Sequence, residues 1–179
     1  MSIDRLKERL PDHAKDLRIN LGVITSSAML TPQQAWGTAL AAAATARNPE
    51  VVDAVAAAAA LSPEAAAAAR GAASIMGMNA IYYRFHHVMG DGSPYAQLPA
   101  RLRMQIIGKP GVDAVDFELW CLAAAAIIGC ERCMRAHEHS VRERGGTVEQ
   151  VQDAVRIAAV VHAVALTLDT APRVAPASP

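Results

Sequence analysis

Four side chains have the types and spacing to do chemistry. They lie in the stretch from Glu118 to His137, which contains Cys130-Glu-Arg-Cys133-Met-Arg-Ala-His137. Two cysteines three apart share one face of a helix about a turn apart, close enough to join as a disulfide. A histidine four residues beyond Cys133 stacks over that thiol. Glu118 precedes the break at Gly129, so a tight helix–helix turn would carry its carboxylate back against His137. Thiolates are the nucleophiles in thiol–disulfide and thiol–peroxide chemistry. A helix N-terminus just after Gly129 offers them backbone N–H groups and a positive dipole. His137 can take or return a proton, and Glu118 can orient its ring and hold its charge.

Magnitudes show what such a relay is for. Lowering a thiol pKa from about 8.5 to about 6.5 raises the thiolate share at neutral pH roughly 25-fold, while intrinsic nucleophilicity falls about 10-fold. The net gain in attack rate is only a few-fold. The greater effect is on proton delivery and on stabilising a leaving sulfur. Zinc is the competing use of Cys130, Cys133, His137 and His139, but the chain has no second Cys-x-x-Cys or spaced histidine pair. The c-type haem motif needs histidine directly after the second cysteine, where Met134 stands. Cys121, beside Trp120 in an apolar run, reads as packing. His13, His86, His87 and His162 belong to no motif and read as ordinary surface or core residues. His139 points away from His137 on a helix and reads as solvated. Arg142, Glu143 and Arg144 form the charge cluster expected near a helix end.

The elements that must hold these groups are helices. Of the 179 residues, 39 are alanine, aromatics make up 4% and hydrophobic residues 53%. That composition favours closely packed helices over a sandwich or barrel. Thr31-Pro32-Gln33-Gln34 and Thr147-Val148-Glu149-Gln150 read as capping boxes, and Asn48-Pro49 and Ser62-Pro63 as further helix starts. The expected helices run from Pro32 to about Arg47, from Pro49 to about Leu61, and from Pro63 into the Ile81-Tyr82-Tyr83 region. A short one is expected over Pro99 to Ile107, one from an Asp116 cap to Ile128, one from Cys130 to about Arg144, and a last one to about Asp169. The fold class is therefore all-α, a single compact helical domain over residues 1–170 with a frayed, proline-rich tail at 171–179. Two halves, about 17–83 and 102–169, resemble each other. Trp36 and Trp120 each precede four alanines, which would set Gln34 opposite Glu118. The pattern fits a degenerate duplication, and it fits equally a shared alanine-rich composition.

Charge narrows the partners. Seventeen basic and seventeen acidic side chains give zero net charge, which speaks against nucleic acid or an anionic membrane as the main partner. The alanine runs are too short to span a bilayer, and the opening Met1-Ser-Ile-Asp-Arg-Leu-Lys7 lacks the apolar core of a secretion signal. Three cysteines do not make a secreted disulfide scaffold. The expectation is a cytoplasmic protein.

Besides Cys130 to His139, the chain carries Leu10-Pro-Asp-His-Ala-Lys-Asp-Leu17, Gln34-Ala-Trp-Gly-Thr38, Ile75-Met-Gly-Met-Asn79, Leu102-Arg-Met104 and Asp116-Phe-Glu-Leu-Trp120. With these, and over nearly its full length, it resembles the AhpD-type alkylhydroperoxidases of the carboxymuconolactone-decarboxylase-like superfamily. The resemblance implies an all-helical homotrimer that reduces hydroperoxides or passes electrons to an AhpC-type peroxiredoxin. It implies no tightly bound cofactor. The electrons would come from dihydrolipoamide on a lipoyl-bearing dihydrolipoamide acyltransferase. By the motif match, Cys133 would become the sulfenic acid or mixed disulfide, Cys130 would be its disulfide partner and proton donor, and Glu118 and His137 would form the relay. Members often carry histidine between the cysteines; Arg132 stands there in this chain. The alternative implication is a metal-binding or decarboxylase-like protein sharing only the fold.

Overall fold

A computed structural model describes residues 2–23 and 26–171. The described residues form nine α-helices and two short 3-10 turns joined by loops, with no strand among them. The helices are α1 (Ile3–Arg9), α2 (Lys15–Val23), α3 (Pro32–Ala46), α4 (Pro49–Ala58), α5 (Pro63–Met89), α6 (Gln105–Gly108), α7 (Ala114–Ile128), α8 (Glu131–Glu143) and α9 (Val148–Thr170). The all-α expectation holds. Of the tail expected to fray, residues 172–179 lie outside the described part.

Helices α3, α5, α7 and α9 pack on one another around one core, and α8 folds back onto α7. Alanine lets them approach closely: Ala39, Ala41, Ala42 and Ala43 of α3 and Ala123, Ala124 and Ala125 of α7 are fully buried. The largest buried side chain, Trp120, lies against Gly37 of α3, and its indole N–H donates to the Gln34 carbonyl at 3.3 Å. By length and composition α9 is the one described helix able to cross a bilayer, but in this fold Ile157, Val161, Val164 and Ala165 turn into the core against α3 and α7.

Both capping boxes form. Thr31 and Gln34 satisfy each other's backbone N–H groups at the start of α3, as do Thr147 and Gln150 at α9. The two boxes also meet, because the Gln150 amide donates to Gln34 Oε1 at 3.3 Å. Two helix starts that the sequence reads separately are thus tied together.

Several boundaries move. α7 begins two residues before Asp116, because Asp113 is its cap and accepts from the N–H groups of Val115 (2.8 Å) and Asp116 (3.3 Å). Asp116 is instead buried and accepts from Gln33 at 2.7 Å. α4 stops at Ala58 rather than near Leu61, and α5 runs past Tyr83 to Met89, where Gly90 with φ 82° ends it. Of the helix expected over Pro99 to Ile107 only α6 forms. Arg101 takes a left-handed φ of 51° and Met104 leaves helical geometry, which breaks the run.

An ideal Cβ on Gly37 would sit 2.2 Å from the Trp120 ring, whereas one on Gly77 meets nothing within 4 Å. Gly37→Ala should destabilise the fold by about 1–3 kcal/mol through overpacking. Gly77→Ala, in a helix interior with room to spare, should stabilise it by about 0.5–1 kcal/mol. Urea midpoints of the two variants, moving in opposite directions, check the packing.

Candidate active site

The site is built on the turn between α7 and α8. Gly129 takes φ 74°, a left-handed conformation that suits glycine. The Gly129 N–H donates to Ala126 O at 3.2 Å, and the Cys130 N–H reaches back to Ala125 O at 3.1 Å. This is a Schellman closure of α7. Cys130 is at once the residue that seals α7 and the N-cap of α8. Its Sγ accepts from the Cys133 N–H at 3.3 Å, so a sulfur does the work usually given to a serine or aspartate oxygen.

Cys130 and Cys133 are joined as a disulfide, with Cα atoms 5.3 Å apart. Both are buried within the first turn of α8. One turn further, His137 Nδ1 lies 2.6 Å from Glu118 Oε2, across the two helices. The residues are 7% and 4% exposed, so the pair is shielded from water. With the carboxylate accepting, Nδ1 carries the hydrogen and Nε2 keeps a lone pair. Among the described residues the ring hydrogen-bonds Glu118 alone. The four residues singled out by spacing are therefore gathered by one helix–turn–helix, the cysteines in covalent contact and the acid behind the imidazole.

The remaining candidates separate from them. His139 bridges Glu143 at 3.2 Å on the exposed face of α8. Among the described residues no three of His, Cys, Asp and Glu are grouped to hold a metal ion. Cys121 is fully buried and free. Burial pushes its thiol well above the ordinary value, and the nearby Glu118 carboxylate adds to the shift.

Sequence reasoning missed the wall opposite the cysteines. A cleft of about 190 Å³ is bounded by Tyr83, Arg84 and His87 of α5 and by Cys130, Glu131 and Arg132. The Arg84 guanidinium donates to Ile128 O at 3.0 Å, placing a cation on the C-terminal end of α7. The Arg132 guanidinium lies 4.9 Å from the Tyr83 ring centre, a cation–π distance. The only local trace is the four-residue step from Tyr83 to His87, which puts both on one face of α5.

The buried Cys121 gives a direct check. Cys121 should resist an alkylating label in the folded protein and take it only after unfolding. Because the folded thiol keeps its proton where the unfolded one has lost it, stability should fall as pH rises past the ordinary thiol value. Cys121→Ala should remove that slope from pH-dependent urea midpoints.

A family model described as the carboxymuconolactone decarboxylase family matches residues 94–175, the segment that holds this turn. Full-length relatives are more specific. The alkyl hydroperoxide reductase AhpD of Rhodospirillum centenum is 55% identical over 171 residues, covering 94% of this chain and 91% of the relative. That of Gluconacetobacter diazotrophicus is 57% identical over 174 residues, covering 96% and 94%. The AhpD of Frankia alni is 52% identical over 177 residues. Identity above one half over 94% to 96% of its length places this chain in the AhpD family of alkyl hydroperoxide reductases.

Proposed function

We propose that this protein is a dithiol peroxidase that reduces alkyl hydroperoxides and hydrogen peroxide at Cys133, with Cys130 as its disulfide partner. The observation that carries the reading is the Cys130–Cys133 bond within one turn of α8, one further turn from the buried Glu118–His137 pair. A pair so close opens and closes without moving the helices around it. The relatives' name, alkyl hydroperoxide reductase AhpD, supports peroxide as the oxidant.

In the reduced state the Cys133 thiolate attacks the distal peroxide oxygen. The O–O bond breaks, and the alkoxide leaves as an alcohol with a proton from the Cys130 thiol. The Cys130 thiolate then attacks the Cys133 sulfenic acid, releasing water with a proton supplied through His137 and closing the disulfide. Glu118 holds the ring in place and stabilises its charge as protons pass. No tightly bound cofactor takes part. Two electrons from dihydrolipoamide, carried by a lipoyl-bearing acyltransferase, reopen the bond. An AhpC-type peroxiredoxin is the second acceptor, with the same disulfide as the intermediate carrier. A dithiol that must be re-reduced each cycle suits the cytoplasm, where thiols are kept reduced. The family resemblance supports a homotrimer.

Hydroperoxide reduction driven by dihydrolipoamide, with and without a peroxiredoxin, tests this. Cys133→Ser should abolish turnover, and full activity in that variant would refute the reading. Glu118→Gln keeps the shape of the pair but not its charge. It should lower kcat by about 10²–10⁴, the range that positioned acid–base groups contribute.

A further inference from the structure

We propose that the thiol donor enters through the cleft between α5 and α8, attacks Cys130 rather than Cys133, and gives its proton to His87. This deepens the dithiol reading and rests on it. The two sulfurs of the disulfide have different surroundings. Cys130 forms part of the cleft wall, facing Tyr83, Arg84 and His87 of α5. Cys133 does not line the cleft, and it precedes by one turn the His137 ring that is turned inward to Glu118.

The chemistry fits that asymmetry. A thiol on the donor passes its proton to His87 and becomes a thiolate. The thiolate attacks Cys130 Sγ, the Cys130–Cys133 bond breaks, and the electron pair leaves on Cys133. That sulfur can leave because a proton can reach it through His137, and protonating the departing sulfur helps exchange. The donor's second thiol then attacks its own sulfur in the mixed disulfide. The donor departs as a cyclic disulfide and Cys130 is freed, its charge met by the Cys133 N–H until the second proton arrives. Two donor thiols are oxidised to one disulfide, and the protein disulfide is reduced to two thiols.

His87 is the histidine suited to this step. His86, its neighbour, packs at a tilt against Tyr82 with ring centres 4.4 Å apart and meets Phe85 edge-on. His87 is exposed on the cleft wall, and imidazole is the side chain that exchanges protons near neutral pH. The charged or titratable groups facing it are Tyr83 and Arg84 from α5 and Glu131 and Arg132 from α8. The two guanidinium groups favour an incoming thiolate, and Glu131 opposes it. A second cleft of about 270 Å³ shares Tyr83 and Arg132 and continues past His86 and Asp91 to Leu98. Together they form a groove that can take a dithiol on a slender arm.

The test is the reductive half-reaction alone. Oxidised protein is mixed with dihydrolipoamide and the loss of the disulfide is followed from pH 6 to 9. In His87→Gln the rate should fall about tenfold at neutral pH, with the deficit closing as the donor thiol begins to ionise unaided. No loss, or a loss constant across pH, would overturn the role of His87. In parallel, oxidised lipoamide is offered to the reduced single-cysteine variants and the adduct is located by peptide mapping. It should form faster on Cys130 in Cys133→Ser than on Cys133 in Cys130→Ser, and the reverse order would overturn the entry route. Neither assay contains peroxide, so failure of the peroxidase reading is seen separately, as absent hydroperoxide turnover in a protein that still accepts electrons.

Discussion

A carboxylate and an imidazole 2.6 Å apart, buried between two helices, constrain most of what surrounds them. Burying either group alone would cost about 3–5 kcal/mol, because its charge or its hydrogen-bond capacity would be left without a partner. α7 and α8 must therefore cross where Glu118 and His137 coincide. That crossing demands a reversal within two residues. Gly129 supplies the left-handed step, and Cys130 ends one helix and starts the next. The disulfide cannot be separated from this turn, since the sulfur that caps α8 is one of the two that bond. The geometry of the turn thus sets how the two sulfurs meet.

The turn is held rigid by what lies behind it. Small residues along α3 and α7 allow close approach, and Trp120 locks the two together over the one position, Gly37, that has no side chain to obstruct it. At the far end, the linked capping boxes of α3 and α9 fix how the N-termini of those helices meet. Cys121 belongs to this scaffold and not to the site. One helical turn from Glu118, it is kept as a thiol by burial and by that same carboxylate. Three cysteines lie within thirteen positions, and their surroundings divide them sharply into a bonded pair at the turn and one that packs.

Much of this was legible in the chain because its signals are local. Threonine three residues before glutamine, proline at a first helical position and glycine after an apolar run each act on the backbone beside them, so the starts of α3, α4, α5 and α9 and the break at Gly129 fell where they were read. Spacing alone also placed Cys130, Cys133 and His137 on one face. Errors came where a local signal had two candidates or a distant partner. Asp113 and Asp116 are both plausible caps by type, and the choice was settled by Gln33, eighty-three residues away, which holds Asp116. The groups opposite Cys130 were out of reach for the same reason. Nothing near Arg84 or His87 records that α5 will lie against α8, because that contact follows from how all the core helices share space.

The two sets of three helices, α3–α5 and α7–α9, show how little separates a scaffold from a site. The opening helix of each set is fifteen residues long. The caps Thr31 and Asp113, the left-handed Arg47 and Gly129, and the caps Asn48 and Cys130 each stand 82 positions apart. The tryptophan-based alignment is offset by two more. In the cap register, Asn48 takes the place of Cys130, Val51 that of Cys133, Val55 that of His137 and Trp36 that of Glu118. Asn48 Oδ1 accepts from the Val51 N–H at 3.0 Å, just as Cys130 Sγ accepts from Cys133 N–H at 3.3 Å. The backbone of this turn thus directs an N–H at the cap atom whether that atom is oxygen or sulfur. With an amide there the interaction only ends a helix, and Asn48 spends its other arm on Asp169 at 2.7 Å. With a thiolate at Cys130, the same N–H and the same helix dipole would meet its negative charge. The turn thus presents the same N–H to its cap atom in both sets, and the sets differ in which side chains occupy the four positions.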